Sequence, residues 1–331
     1  MHPFQYVQAT SLREAIAALN RSPDTTKPMA GGQDLLTELK ERIAQPTTVV
    51  SLRGVRELRF IREGADGLHI GSMATLAEIE QHPQIRGSYA ALAQAAASVG
   101  SPQIRSQATL GGNLCQRPRC WYYRAEEFHC LKKGGDRCFA VAGENKYHAI
   151  FSPGPCHIVH PSDCAPAAMA LGAKARIVSA TGERQVSLDD FFEMPNRNLF
   201  GENVLRPGEL LAEVVIPKPK GTLRSTYAKF RERPSFDFAM CGAAVALDMD
   251  GDTCRSARIV LSGVAPVPLR VPDAETALSG KRITQEIASA AATAALKGAQ
   301  PMTDNAYKVP LATTVVRRAI LAAVQGTEAA L

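Results

Sequence analysis

Two short stretches decide the fold: Ala30-Gly31-Gly32-Gln33-Asp34-Leu35 and Ala108-Thr109-Leu110-Gly111-Gly112-Asn113-Leu114. Each places a double glycine just before a predicted helix. Glycine lets the backbone take positive φ and approach a ligand closely, and a helix N-terminus offers N–H groups to an anion such as a pyrophosphate. Either pair alone is also consistent with a plain tight turn. Neither matches G-x-G-x-x-G, so the usual doubly wound dinucleotide fold is not indicated.

The residues around the first stretch predict a β-α-β-turn-α-β unit. Ser11-Leu12-Arg13-Glu14 is a capping box that opens a helix through Asn20. Residues 33–43 have helical spacing of apolar side chains, and residues 48–52 form a β-branched strand. Thr75-Leu76-Ala77-Glu78 is a second capping box in the next unit.

The second half of the chain begins with strands and ends with helices. Residues 226–231, 241–249 and 258–262 are predicted strands, and residues 273–280, 284–297 and 310–325 are predicted helices. This order indicates an α+β unit. Pro217-Lys218-Pro219-Lys220 is the best candidate for the boundary before it.

Length and composition exclude several classes of protein. A chain of 331 residues is expected to form two or three packed units. It has no run of eighteen apolar residues that would span a membrane, and its N-terminus does not resemble a secretory signal. The net charge of +6 is not gathered into one tract, and no nucleic-acid-binding motif is present, so we expect no nucleic-acid partner.

The cysteines are unevenly distributed. Six of the eight fall between Cys115 and Cys164, in a chain without a signal peptide. Such crowding favours metal or redox chemistry over structural disulfides. Residues 115–157 show no sustained helical or strand period, yet Trp121 and its neighbouring tyrosines argue against disorder.

The two glycine stretches belong to a longer series. Ile70-Gly71, Gln103-Ile104-Arg105 and Pro161-Ser162-Asp163 occur with them in one order. This series resembles the flavin-binding medium subunit of the molybdenum hydroxylases, a family that includes xanthine dehydrogenase, carbon monoxide dehydrogenase and the aldehyde oxidoreductases. The resemblance covers nearly the whole chain.

The resemblance implies an α+β fold, with a two-part FAD-binding domain of the PCMH type followed by a C-terminal α+β domain of the CO dehydrogenase flavoprotein type. The expected divisions are residues 1–55 and 56–220 for the two FAD-binding subdomains, with an iron–sulfur loop at 115–157, and residues 221–331 for the C-terminal domain.

The resemblance also implies FAD as a cofactor and assigns its contacts. The two glycine stretches cradle the pyrophosphate, and Asp163 binds toward the ribose. Lys229 lies near the isoalloxazine, where a cation would stabilise reduced flavin; taken alone, it is also consistent with a solvated strand residue. The implied contacts are Ala30, Gly31, Gly32, Gln33, Asp34, Leu35, Thr109, Gly111, Gly112, Asn113, Asp163 and Lys229.

A minority of the family carries an insertion that holds a 4Fe–4S cluster, and the spacing C-x9-C-x7-C-x17-C resembles the version in bacterial aldehyde oxidoreductases. The implied ligands are Cys120, Cys130, Cys138 and Cys156, because four thiolates are the usual set for such a cluster. Cys115 could replace Cys120, although burial as a small hydrophobe is expected for Cys115 and Cys164.

The cysteine loop is also compatible with a zinc site or with buried thiols that bind no metal. Zinc is the main competitor because four histidines lie close by, although four-cysteine zinc sites usually contain tight C-x2–4-C pairs. The histidines are His129, His148, His157 and His160. The basic residues of the loop would favour the reduced cluster or dock an acidic partner, or they form a solvated surface; they are Arg117, Arg119, Arg124, Lys132, Lys133 and Arg137.

The implied function is electron transfer within a heterotrimer. A molybdenum-cofactor large subunit would oxidise the substrate, most simply an aldehyde, and a 2Fe–2S small subunit would pass electrons through FAD to an external acceptor. The expected compartment is the cytoplasm, or the periplasm by co-export with a signal-bearing partner. The alternatives are a stand-alone FAD-dependent oxidase, the medium subunit of a 4-hydroxybenzoyl-CoA reductase-like enzyme, or a zinc-stabilised assembly protein. No residue of the chain is assigned to substrate catalysis.

Overall fold

The computed structural model describes residues 1–329, which contain three β-sheets that follow one another along the chain. The first sheet is parallel, with strand order β1-β3-β2. Helices connect its strands, because parallel neighbours cannot be joined by a tight hairpin. Its elements are β1 (Gln5–Gln8), α1 (Leu12–Leu19), β2 (Thr26–Met29), α2 (Leu35–Lys40) and β3 (Thr48–Ser51).

The two helices of this unit begin and end for local reasons. Ser11 caps α1 by accepting a hydrogen bond from the Glu14 amide at 3.2 Å. The Glu14 carboxylate accepts a hydrogen bond from the amide of Thr10, one residue before the partner that the predicted capping box requires. Helix α2 stops at Lys40, short of the predicted Ile43, because Arg42 adopts φ 59°, which no right-handed helix accommodates.

The second sheet is antiparallel, in the order β4-β5-β8-β6-β7. Thr75 and Glu78 form a complete capping box at the start of α3, as predicted. The elements of this unit are β4 (Ile61–Glu63), β5 (Gly67–Gly71), α3 (Leu76–Gln81), α4 (Pro83–Ser88), α5 (Ala90–Ala97), α6 (Pro102–Gln107), α7 (Leu110–Leu114), α8 (Trp121–Arg124), α9 (Cys164–Ala170), β6 (Lys174–Ser179), β7 (Gly182–Ser187), α10 (Leu188–Phe191) and β8 (Leu210–Pro217).

The third sheet is also antiparallel, with order β12-β11-β10-β9 and β13 paired to β11. The predicted order of strands first and helices last is confirmed, since three helices follow the main strands. Its elements are β9 (Thr222–Phe230), β10 (Cys241–Asp250), β11 (Thr253–Ser262), β12 (Leu269–Arg270), α11 (Pro272–Leu278), β13 (Lys281–Arg282), α12 (Gln285–Ala295) and α13 (Lys308–Gln325).

The third sheet is buried on both faces. One face shares a hydrophobic core with α5 and α9 of the second unit, through side chains such as Tyr227 and Val260. The other face packs against α11, α12 and α13, through side chains such as Val245 and Val316. Alanines dominate α5, so this helix approaches the sheet closely. The second and third units therefore meet through a continuous apolar core.

The segment between α7 and α9 contains little regular structure, as predicted, and it is anchored to the C-terminal unit. Asn145 and Asp304 exchange two hydrogen bonds, from the Asn145 amide to the carboxylate at 3.2 Å and from the Asp304 amide to the side chain at 2.9 Å. The fully buried Lys308 donates to the carbonyls of Tyr147, His148 and Gly263 at 2.8–3.0 Å. These contacts give the segment a fixed position without a helix or sheet of its own.

Candidate functional site: a cleft and a neighbouring cysteine cavity

A deep cleft with a volume of about 740 Å³ runs along the first two units to the edge of the third. The residues predicted from the sequence to be flavin contacts all line it, although they come from four distant parts of the chain. They are Ala30, Gly31, Gly32, Gln33, Asp34, Leu35, Thr109, Gly111, Gly112, Asn113, Asp163 and Lys229. The cleft is large enough for an extended ligand of the size of a dinucleotide.

The first glycine turn is the part of the cleft prepared for an anion. Gly32 has φ +73°, and a Cβ on Gly31 would lie 1.9 Å from the Gln107 carbonyl oxygen, so both positions require glycine. Among the described residues, the backbone N–H groups of Gly32, Gln33 and Asp34 have no acceptor. Three free donors in one turn suit a phosphate group.

The second glycine turn differs from the sequence-based expectation. Its N–H groups are already used inside the protein: Leu110 donates to the Ala74 carbonyl and Gly111 to the Ser72 carbonyl, both at 2.9 Å. Gly112 donates to the Thr109 hydroxyl at 3.2 Å. This turn therefore shapes the cleft wall, while the free backbone donors lie at the first turn.

Asp34 connects the cleft to residues 115–157, the cysteine segment. Its carboxylate accepts from the Arg117 amide at 2.7 Å and lies 2.8 Å from Arg124 Nη2 and 2.9 Å from Arg119 Nη2. Three donors from one loop hold this side chain, so its first role is to fix that loop against the first glycine turn. Asn113 has a comparable role, since its side-chain oxygen accepts from the Ser162 hydroxyl at 2.5 Å.

Asp163 and Lys229 form a buried ion pair that lines the cleft. Lys229 Nζ lies 2.7 Å from Asp163 Oδ2, and both side chains are less than 5% exposed. Lys229 is thus not a solvated strand residue. The other carboxylate oxygen accepts from the Tyr227 hydroxyl at 2.6 Å, and burial together with Asp163 raises the pKa of Tyr227.

Tyr227 is a site residue that the sequence did not single out. It lies two positions before Lys229 on β9, and alternate residues of a strand share one face. Alternation along the strand therefore offered a signal. Because Tyr227 and Lys229 lie on the same face of β9, both side chains can bind the same carboxylate. Together the three side chains carry no net charge, and the pairing holds the Lys229 ammonium in one position beside the cleft.

The four predicted ligand cysteines line a single small cavity beside the cleft. Cys130 and Cys156 are buried, Cys120 and Cys138 are half-buried, and none of them forms a disulfide. The remaining wall is mostly aromatic or aliphatic, with Lys132 and His148 as its polar members. Burial raises the pKa of Cys120 to about 12 and that of Cys156 to about 11, and the charge of Lys132 opposes the rise at Cys156.

The remaining candidates from this segment lie elsewhere. Cys115 lines the cleft and does not reach the cysteine cavity, so the structure does not favour it as a substitute for Cys120. Of the four nearby histidines only His148 borders the cavity, with its Nε2 3.2 Å from Cys120 Sγ. Within residues 1–329, no three His, Cys, Asp or Glu side chains lie close enough together to bind a single metal ion.

The basic residues of the loop are mostly paired inside the protein. Arg119 and Arg124 bind Asp34, while Arg117 and Lys132 bind the buried Glu202. A plainly solvated loop is therefore wrong for Arg124 and Lys132, while docking of an acidic partner and an effect on the reduced cluster stay predictions. Glu202 lies in a stretch without periodicity, and nothing in the sequence identified it as their partner.

Comparison with known proteins relates both halves of the chain to one family. Residues 2–219 match the model of the FAD binding domain in molybdopterin dehydrogenase. Residues 225–323 match the CO dehydrogenase flavoprotein C-terminal domain. Together these matches account for most of the sequence.

Individual relatives span nearly the full length. The aldehyde oxidoreductase FAD-binding subunit PaoB of Escherichia coli K12 is 33% identical, over 94% of this chain and 95% of the relative. Quinoline 2-oxidoreductase from Pseudomonas putida 86 has a similar structure, with a TM-score of 0.76 at 29% identity, covering 98% of both chains. Carbon monoxide dehydrogenase from Hydrogenophaga pseudoflava, without the Mo-pyranopterin moiety, gives 0.78 at 28% identity over 99% of this chain and 100% of that one.

Proposed function

The chain belongs to the FAD-binding subunits of the molybdopterin dehydrogenase family, and from this premise we propose that it is the electron-transfer subunit of an aldehyde oxidoreductase, holding a 4Fe–4S cluster besides FAD. It is an oxidoreductase subunit with an α+β fold. The observation that carries the finer proposal is the arrangement of Cys120, Cys130, Cys138 and Cys156 around one cavity beside the cleft.

FAD fits the cleft. The free N–H groups of Gly32, Gln33 and Asp34 would hold its pyrophosphate. The Asp163–Lys229 pair, which also lines the cleft, would hold an ammonium group beside the flavin ring. When bound, FAD supplies one- and two-electron redox chemistry, and the chain's part is to orient it and to place a cation where negative charge develops.

The donor set supports a cluster in the cysteine cavity. Four thiols without disulfides surround a mostly apolar space, and burial keeps at least two of them protonated when no metal ion is bound. Metal binding would release those protons and stabilise the segment, which has few periodic elements of its own. Four thiolates are the usual ligands of a 4Fe–4S cluster.

The proposal includes partners and organisation. The chain would receive electrons from a 2Fe–2S small subunit beside a molybdenum-cofactor large subunit and deliver them to an external acceptor. The E. coli relative's name, an aldehyde oxidoreductase subunit, supports the substrate class. Within residues 1–329, no helix is long and apolar enough to cross a membrane. We place the chain in the cytoplasm, or in the periplasm after export with a partner.

The domain division is part of the same proposal. Its units are residues 1–55, 56–220 and 221–331. The strand bounds support it, since β3 ends at Ser51 and β4 begins at Ile61, while β8 ends at Pro217 and β9 begins at Thr222 in another sheet.

Anaerobic purification tests the cofactor content. We expect flavin absorbance, a broad iron–sulfur shoulder and about four iron and four sulfide per chain. One tightly bound zinc without sulfide would contradict the cluster. Mass spectrometry of co-purifying subunits should identify a large and a small partner; a flavin-only protein without partners would instead indicate a stand-alone oxidase.

Matched cysteine variants test the ligand assignment. Cys130→Ser should lose iron and sulfide and make residues 115–157 exchange amide hydrogens faster, because the metal–thiolate bonds order this segment. Cys254→Ser is the control: Cys254 is also buried, but in the third sheet, where it donates to the Ser256 carbonyl as a serine also could. Retention of four iron in Cys130→Ser would exclude Cys130 as a ligand.

A further inference from the structure

A buried network of three charged side chains links the cysteine cavity to the cleft. Lys132 Nζ lies 2.7 Å from Glu202 Oε1, and Glu202 Oε2 lies 2.7 Å from Arg117 Nε. The side chains of Lys132 and Glu202 are 1% and 3% exposed. Lys132 also donates to the carbonyls of Leu199 and Gly201, which hold its ammonium in one position.

The two ends of this network face different cavities. Lys132 forms part of the wall of the cysteine cavity. Arg117 and Glu202 form part of the wall of the cleft. The three side chains carry one net positive charge in a region from which water is largely excluded, and there charges interact more strongly than in water.

Stability alone does not account for this arrangement. Desolvation of a buried ion pair offsets most of the attraction between its members, so such a pair contributes little net stability. The charge of Lys132 nevertheless acts on the cysteines, because Lys132 lies in the wall of their cavity, where little water screens its charge. A cation that stabilises a thiolate stabilises any other negative charge placed in the same cavity.

Resting on the proposed function, we propose that Lys132 and Glu202 set the reduction potential of the cluster: Lys132 is a fixed positive charge against it, and Glu202 partly offsets that charge. Reduction adds one electron to the cluster, and no bond is formed or broken. A nearby positive charge favours the added electron and raises the potential, whereas a nearby carboxylate lowers it. Both are positioning residues, since neither is a ligand.

An EPR-monitored redox titration of the 4Fe–4S signal in anaerobically purified holoprotein tests the assignment. Lys132→Met should make the cluster at least about tenfold harder to reduce, a fall of about 59 mV for one electron. Glu202→Gln should shift the potential upward. The double variant carries no buried unpaired charge from this pair and should return close to the parent value, which keeps the test valid if one single variant folds poorly.

The matched control is Lys133→Met. Lys133 follows Lys132 in the same turn and bonds to the Ala125 carbonyl, but it does not line the cavity. The reduction potential of the cluster in Lys133→Met should match that of the parent. Shifts of the same sign in Lys132→Met and Glu202→Gln, or unmoved potentials in both with four iron retained, would overturn this inference alone. A parent protein without iron and sulfide would instead overturn the cluster itself.

Discussion

Gly31 and Gly112 lie on the same cleft, yet an added side chain would meet different surroundings at each. At Gly31 the obstacle is the protein, because an added Cβ would lie 1.9 Å from a backbone oxygen. At Gly112 the atoms nearest to an added Cβ are Thr109 Oγ1 at 3.2 Å and Ala30 Cβ at 3.9 Å, so a small shift of the Thr109 side chain would accommodate it. Any branch there would fill the space between the two glycine turns.

We therefore expect Gly112→Val to lose FAD while the chain stays folded. Bound flavin per chain, measured by absorbance after desalting, and the circular dichroism melt give the two readouts. Gly87→Val is the control, since Gly87 lies in α4 with no atom within 4 Å of an added Cβ. Stoichiometric flavin in Gly112→Val would show that this turn does not border the cofactor.

The buried pair of Asp163 and Lys229 gives a second expectation at the residue scale. Asp163→Ala should destabilise the chain by about 3 kcal/mol, because Lys229 would remain buried without its partner. The double variant with Lys229→Met should recover part of that stability, measured by urea unfolding, without recovering FAD affinity. Recovery of both together would mean that the pair only supports the fold. Asp66→Ala, at an exposed turn, should leave flavin affinity unchanged.

Some residues that line the cleft and the cysteine cavity could be predicted from sequence, and others could not. The glycine turns, Asp163, Lys229 and the cysteines carry recognisable patterns, and the structure brings each set to one cavity. Which backbone N–H groups remain free was not predictable, because Leu110 and Gly111 donate to carbonyls of residues 74 and 72, far away in the sequence. Glu202 likewise acquires its role only through folding.

At the scale of elements, strands β5 and β8 are joined by a histidine between carboxylates. His69 Nδ1 lies 2.5 Å from Glu213 Oε1, and Nε2 lies 2.7 Å from Asp66 Oδ1. Burial opposes protonation of His69, but the two carboxylates outweigh it and raise the pKa. Arg176, which binds Glu213 at 2.6 Å, and the nearby Lys174 are the other charged groups facing this site.

This arrangement predicts a pH-dependent contribution to stability. Because the pKa of His69 is higher in the folded chain than in the unfolded one, its contribution is complete below about pH 6.5 and is lost as pH rises through the folded pKa. The melting temperature of the parent should exceed that of His69→Gln by more at about pH 6 than at about pH 8.5. An equal difference at both values would show that His69 does not titrate between them.

Element boundaries followed local signals where those were strong. The capping box at Thr75 was predicted correctly, and strands such as β10 and the helices of the third unit were found close to their observed bounds. The end of α2 was placed too late, since apolar spacing continued to Ile43 while the positive φ of Arg42 ended the helix. Residues 115–157 were correctly predicted to lack a regular period.

At the scale of the whole molecule, the order of units along the chain was predictable, but their contacts were not. The contacts between the cysteine segment and residues 304–308, which lead into α13, join residues about 160 positions apart, and no local pattern signals them. Lys308, Asn305 and Asp304 each make two hydrogen bonds to the segment, and Lys308 donates a third to the Gly263 carbonyl.

Lys308→Met should therefore destabilise the chain by about 3 kcal/mol, because several buried carbonyls lose their donor. Limited proteolysis should then cut within residues 140–157 sooner than in the parent. Lys297→Met, at an exposed position after α12, is the control and should match the parent in both measurements. A Lys308 variant as stable as the parent would show that the segment is held mainly by Asn145 and Asn305.

The anchoring of the cysteine segment also sets an order of events during synthesis. The ribosome adds residues 304–308 about 150 residues after Cys156, which takes roughly 10 s at usual elongation rates. Until then the thiols lack the carbonyl and amide contacts that fix the loop around them. Nascent chains arrested at residue 300 should accordingly react with a thiol-alkylating reagent at Cys130 and Cys138 faster than the released chain does. On the proposed function, iron delivery to this protein would then follow translation and compete with oxidation of the thiols.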